Sequence, residues 1–239
     1  MTVPLNVNTE GTEKNIPKAG PLVVGLMPYT DWLAPFVVNR YLTYARDRSA
    51  VWMTNKETEN KISGFLLGNR KFFFVDRQSP SRAEYKTAFD ILWTGGVLAS
   101  AFEGTRYGNS DDPNDNLTLG EIKSGLMRLA YETKAPFLGV VVLGTDEVFP
   151  SLSVKKERTG TLDLATDIAN ALVRGDSKVE LRFLPPYTDH ILGNGGVELR
   201  GVEKKEFVRS HNKRFAGQLI RQLRELKSDY PLGLNGSRT

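Results

Sequence analysis

Six short runs of β-branched, aliphatic and aromatic residues recur along this chain with helix-period stretches between them. That alternation restricts the available folds more than any other feature. The runs are LVVGL (22–26), AVWMT (50–54), KFFFVD (71–76), VLASAF (97–102), FLGVVVLG (137–144) and VELRFL (179–184). Apolar residues at helical spacing mark 31–46, 81–94, 121–133, 159–174 and a last helix over about 203–227. Strands alternating with helices assemble as βαβ units, which predicts an α/β class with a mostly parallel, twisted central sheet flanked by helices. In such a sheet the functional loops leave the carboxyl ends of the strands. A chain of 239 residues, 40% hydrophobic, is long enough to bury one proper core. We read a single domain over 21–239, including a basic amphipathic C-terminal helix, after a polar lead-in over 1–20 that acts as a flexible or surface-bound arm.

Composition narrows the chemistry. With no cysteine there is no disulfide, thiolate metal site or cysteine nucleophile. His190 and His211 are the only imidazoles, both late in the chain, so no metal site is expected and no cofactor is implied. A net charge of +4 favours anionic partners but falls short of a nucleic-acid signature, and no nucleic acid is expected. No run approaches 18 apolar residues and the N-terminus lacks a charged and apolar leader pattern. These features predict a cytoplasmic protein, with peripheral contact at the membrane surface as an alternative.

The strongest local signal is Glu103-Gly104-Thr105-Arg106, between the strand-like VLASAF and a polar loop over 107–118. A glycine at a strand end lets backbone amides approach an anion, and the neighbouring arginine offers a planar fork suited to phosphate. On four residues alone, an ordinary turn with a surface arginine is the commoner meaning.

Position adds to it. Asp76-Arg77 closes the KFFFVD strand 27 residues upstream of Glu103. The pair resembles the second and third conserved blocks of the glycerolipid acyltransferase family, the lysophosphatidate and glycerol-3-phosphate acyltransferases. In that family both arginines hold the phosphate of the acceptor. The stretch 121–130, with Lys123 and Gly125, looks like the family's Lys-x-Gly helix, and 135–140 resembles its fourth block. The resemblance runs from about residue 21 to 150. It implies Arg77, Glu103, Gly104, Thr105, Arg106, Lys123 and Gly125 as substrate-binding residues, with Arg77 and Arg106 converging at one end of adjacent strands. It also implies acyl-CoA or acyl carrier protein and a phosphorylated lipid or other anionic acceptor as partners.

The first block departs from the family pattern. There a histidine takes the proton of the acceptor hydroxyl, and an aspartate separated from it by four residues fixes its tautomer. Aligning 32–36 places Tyr29 at the histidine, Asp31 at the intervening serine and Ala34 at the aspartate. Tyrosine, with an ordinary pKa near 10, is a poor base at neutral pH, and alanine orients nothing. Asp31 precedes a helical stretch and reads first as an N-cap. Phe102 and Gly139 replace prolines of the third and fourth blocks. The resemblance therefore implies an acyltransferase-like protein that binds acyl donor and acceptor with conventional His-Asp transfer lost or strongly reduced. Two readings compete with it: an active acyltransferase with an unusual acceptor and a non-histidine base, and a non-catalytic scaffold or interaction subunit.

The two histidines read as bystanders. His190, beside Asp189 in an extended stretch, is expected on a surface or loop, and His211 on the solvated face of the last helix among Arg209, Lys213 and Arg214. That helix reads first as a core-facing element with a solvated basic side, and second as a contact for a membrane surface or an acidic partner.

Overall fold

A computed structural model describes residues 6–29, 33–56, 72–76, 79, 81–103, 122–148, 178–192 and 199–228. The strands are β1 (Asn6–Asn8), β2 (Leu22–Met27), β3 (Val51–Asn55), β4 (Phe72–Val75), β5 (Val97–Ala101), β6 (Phe137–Leu143) and β7 (Lys178–Phe183). The helices are α1 (Ala34–Arg46), α2 (Arg82–Trp93), α3 (Gly125–Thr133), α4 (Thr145–Val148), α5 (Asp189–Leu192) and α6 (Gly201–Leu226), with a 3-10 turn at Thr12–Asn15. The strands form one seven-stranded sheet in the order β1-β7-β6-β2-β5-β3-β4. Every pair is parallel except β6 with β7. The α/β class and the six expected strands are present with boundaries moved by a residue or so. The helix expected over 159–174 lies outside the described residues.

Strand alternation sends the side chains into two cores. Val23 and Met27 of β2 and Phe137 and Val141 of β6 join α2, α3 and α6 on one face. Leu22, Val24 and Leu26, with Leu138, Val140 and Val142, join α1 on the other. Strands covered on both faces are apolar throughout, as the runs in the sequence are.

At mid-sheet the first face is dented. Gly25 and Gly139 are register partners on β2 and β6. A Cβ at Gly25 would stand 2.7 Å from the ring of Phe137, and one at Gly139 2.8 Å from Leu219 and 2.9 Å from Phe215. Three rings fill the dent. Phe102 meets Phe137 edge-on with centroids 5.4 Å apart and Phe215 at 5.5 Å, while Phe137 and Phe215 lie 4.5 Å apart. Phe102 and Gly139, the two departures from the proline pattern, thus belong to one packing unit with α6.

The lead-in is partly built into the sheet. β1 pairs with β7, Arg182 donates to the Asn8 carbonyl at 2.9 Å, and its buried guanidinium pairs with Glu10 at 2.7 Å and Glu180 at 2.9 Å. Asn15 donates to Phe183 O at 2.7 Å and Ile16 is buried.

Glu132 fastens three helices on the first face. It accepts from Tyr85 of α2, from Arg128 of α3 at 3.0 Å and from Lys204 of α6. Burial alone would raise its pKa, but the hydrogen bonds from Lys204, Tyr85 and Arg128 outweigh that and hold it below the usual carboxylate value.

Candidate functional site

From β2 the chain passes through α1, on one face, to β3. From β5 it passes through α3, on the other face, to β6. Since β2 and β5 are neighbours whose connections leave toward opposite sides, the crevice at their carboxyl ends is a topological switch point, the usual ligand position of an open α/β sheet. Leu26 is the register partner of Ala101, and Phe102 N–H donates to Leu26 O at 2.8 Å. The segments following both strands therefore start side by side.

Four sequence-predicted positions flank this crevice. Tyr29, two residues past β2, is half-buried and packs against the core beneath α1. Glu103, two residues past β5, is 2% exposed. Lys123 is exposed, and its N–H donates to Phe102 O at 3.4 Å, which keeps the approach to α3 beside Glu103. Gly125 opens α3, and a Cβ there would meet nothing within 4 Å, so local sterics do not require the glycine. The amino end of α3 follows directly, and its free N–H groups favour an anion.

Ala34 is wholly buried among the α1 residues that pack on the sheet, with Val37 and Val38. The position aligned with the orienting aspartate is thus a core position. Asp31, Arg77, Gly104, Thr105 and Arg106 lie outside the described residues.

The described residues on either side of Arg77 are tied to one another and to α2. Asp76 Oδ1 accepts from Ser79 N–H at 3.1 Å, while Glu84 accepts from Asp76 N–H at 3.0 Å and Ser81 N–H at 2.6 Å. Ser81 Oγ returns a bond from Glu84 N–H at 3.1 Å, completing a capping box on α2. The two backbone hydrogen bonds lower the pKa of Glu84, that from Asp76 first. One expectation is corrected here. β4 and β5 are not adjacent, because β3 lies between them. Two strand spacings of about 4.8 Å set their ends roughly 10 Å apart, so a shared ligand would have to span the end of β3.

Both histidine expectations are also corrected. His190 is 1% exposed and His211 5% exposed. His190 sits on α5, a short helix rather than an extended stretch; its Nε2–H donates to Ala135 O at 2.8 Å, and its ring stacks on Tyr187. His211 Nδ1 is hydrogen-bonded to the Tyr187 hydroxyl at 2.5 Å, and its ring centroid lies 4.2 Å from that of Phe207. Burial depresses both imidazoles, His190 to about 4. The missed signal was spacing: Phe207, His211, Phe215, Leu219 and Leu223 follow one another at four-residue intervals, the stripe that α6 turns to the sheet.

This cluster stands at the wrong end of the sheet for the crevice. Tyr187 pairs with Phe137, the first residue of β6, whereas Met27 at the end of β2 pairs with Val141. Four strand residues, about 13 Å, separate those levels. A cleft of about 320 Å³ between residues 184–189 and α6 opens at this amino end, and none of the described sequence-predicted site residues lines it.

Among the described residues no group of three or more His, Asp or Glu side chains is placed to hold a metal, and no helix is long and apolar enough to cross a membrane. No family model and no curated protein matches the chain. Among solved structures it is similar to the 1-acyl-sn-glycerophosphate (LPA) acyltransferase PlsC from Thermotoga maritima, at 21% identity and a TM-score of 0.48, over 90% of this chain and 73% of that one.

Proposed function

We propose that this protein binds a phosphorylated, lipid-type acceptor and an acyl donor at the carboxyl-end crevice between β2 and β5, with His-Asp acyl transfer lost or strongly reduced. The observation that carries the reading is the switch point. It starts the segment that carries Tyr29, within the first motif block, beside the one that carries Glu103, within the third, with Lys123 and the amino end of α3 alongside. An acidic group entering there would meet the exposed Lys123 and the helix N–H groups, and Arg106 follows Glu103 by three residues. No imidazole accompanies this set: the two in the chain are buried about 13 Å away along the strands.

Calorimetric titration with a short-chain lysophosphatidate tests the binding. Arg106→Ala weakens it by about 1.5 to 3 kcal/mol, the scale of a charge-assisted hydrogen bond, and Arg106→Lys restores only part because it lacks the fork. Equal affinity of wild type and Arg106→Ala refutes the reading and leaves Glu103 to Arg106 as a turn. In parallel, acyl-CoA with lysophosphatidate gives little or no product. Rapid turnover that survives Tyr29→Phe would instead favour an enzyme with a non-histidine base.

A further inference from the structure

Seven Lys and Arg against three Glu give α6 a net charge of +4, equal to the formal charge of the entire chain. The rest of the protein is balanced. Because α6 buries Val208, His211, Phe215, Leu219 and Leu223, most of its cations stand on the outer side, where Lys205, Arg209, Lys213, Arg221 and Arg224 are exposed, while Lys204 turns in to Glu132. None of these five has an acidic partner within 4.0 Å among the described residues.

Lys205, Arg209, Lys213, Gly217 and Arg221 follow one another at four-residue spacing. Each step advances about 40° around the axis, so the row climbs roughly 24 Å while winding through about 160°. A flat anionic surface can touch only part of such a row. A helix laid across it can follow the ridge, since rows of this spacing are what crossing helices interdigitate.

Gly217 supplies a second, independent observation. It is exposed, and a Cβ there would meet nothing within 4 Å. Glycine inside a helix costs about 1 kcal/mol relative to alanine, and no internal contact requires it here. Its effect is a notch with Lys213 one turn before it and Arg221 one turn after, where another backbone can come close.

We propose that this ridge of α6 is a docking surface for an acidic helix of a partner protein, which crosses at Gly217 and places carboxylates against Lys213 and Arg221. A lipid surface fits less well. A helix lying in a membrane interface inserts a Trp, Phe or Leu face, whereas α6 buries that face against the sheet and exposes only Val202 among its large apolar residues. The inference is independent of the crevice and survives if that reading fails.

The test is photo-crosslinking in the source cells from the full chain carrying a photoreactive amino acid at Ser210, which is exposed beside the ridge. The crosslinked segment is identified by mass spectrometry. The expected product is one protein joined through an acidic helical segment, with yield reduced at least tenfold by Lys213→Glu/Arg221→Glu and by Gly217→Leu. Unchanged thermal melting of the charge-reversed chain shows that the loss is not unfolding. Lipid adducts, a neutral or basic segment, no crosslink, or a yield insensitive to charge reversal would overturn the proposal. So would sedimentation with phosphatidylglycerol vesicles that charge reversal abolishes, which would assign the ridge to lipid.

Discussion

The two ends of the sheet are furnished in opposite ways. At the carboxyl end, β2 and β5 deliver a half-buried tyrosine, a buried carboxylate and an exposed lysine around a switch point. At the amino end, β6 and α6 enclose two imidazoles and a tyrosine within aromatic packing. The titratable side chains best suited to proton transfer near neutral pH are thus in the core, and the end whose topology invites a ligand lacks them. Counting histidines would suggest a pair available for chemistry. Placing them shows that both hold α6 and the segment after β7 against the sheet.

The largest expected effect comes from forcing the family's pair onto the carboxyl end. Ala34→Asp would bury a carboxylate at a position now fully enclosed between α1 and the sheet. The uncompensated charge costs about 3 to 5 kcal/mol, of which the adjacent helix N-terminus returns at most about 1. Denaturant unfolding should show the loss in Ala34→Asp, whereas Tyr29→His, at a half-buried site, should stay within about 1 kcal/mol of wild type. A stable Ala34→Asp protein would mean that the pocket still accepts an orienting carboxylate, and the contrast between the ends would collapse.

At the amino end the comparison breaks or holds on pH. His190 is neutral in the fold, with a pKa of about 4 against 6.5 when unfolded, because burial disfavours the imidazolium. A depressed pKa contributes stability that is complete above about 6.5 and declines as pH falls toward 4. Over that window the loss approaches about 3 kcal/mol. His211 is depressed too and adds in the same direction, with Arg214 opposing its charge and Asp189 favouring it. Lys134 and His211 likewise oppose charging of His190. Melting temperatures across this range should fall steeply for wild type and less for His190→Leu. An equal slope in both would place the acid sensitivity at His211, the other depressed imidazole; Glu132 enters only below the normal carboxylate value, where its lowered pKa begins to lose the stability it adds above.

Between the ends, Gly139 makes room for α6. Gly139→Ala puts a Cβ 2.8 Å from Leu219 and 2.9 Å from Phe215, so those side chains must shift. A loss of about 1 to 3 kcal/mol is expected, the scale of overpacking. Gly217→Ala, on the outer side of α6 with open space around it, should gain about 1 kcal/mol. If both changes stabilise, the three-ring packing is slack and the mid-sheet dent is not what seats the helix.

The sheet was legible because its evidence is local. Alternating apolar runs and helix-period stretches located six strands and four of the longer helices to within a few residues. The edge strand β1 was not legible, since Asn6, Val7 and Asn8 are too few to show a strand pattern and Asn8 is held by Arg182 and Glu180 far along the chain. The order of the strands was equally hidden. Nothing local tells that β3 separates β4 from β5, so the arginines were expected on neighbours. In the site, Glu103 and Tyr29 lie at the strand ends their positions implied. The burial of Ala34 could not be read from its place at a helix start, because it depends on which face α1 turns to the sheet.

The smallest effect probes the carboxyl end of β4, directly before Arg77. Ser81→Ala removes the hydrogen bond to Glu84 N–H and should cost about 1 kcal/mol, the usual value for an N-cap. Glu84 also accepts from Asp76 N–H, at the end of β4. On the proposed function, loosening the cap should therefore weaken lysophosphatidate binding as well as stability, since Arg77 follows Asp76 directly. Ser81→Asp provides the control: another preferred N-cap acceptor, it should recover the stability of α2, and if the cap acts through the position of Asp76 it should recover binding too. Binding unchanged in Ser81→Ala, with the stability loss present, would detach the β4 end from the crevice and confine the proposed acceptor site to β2, β5 and α3.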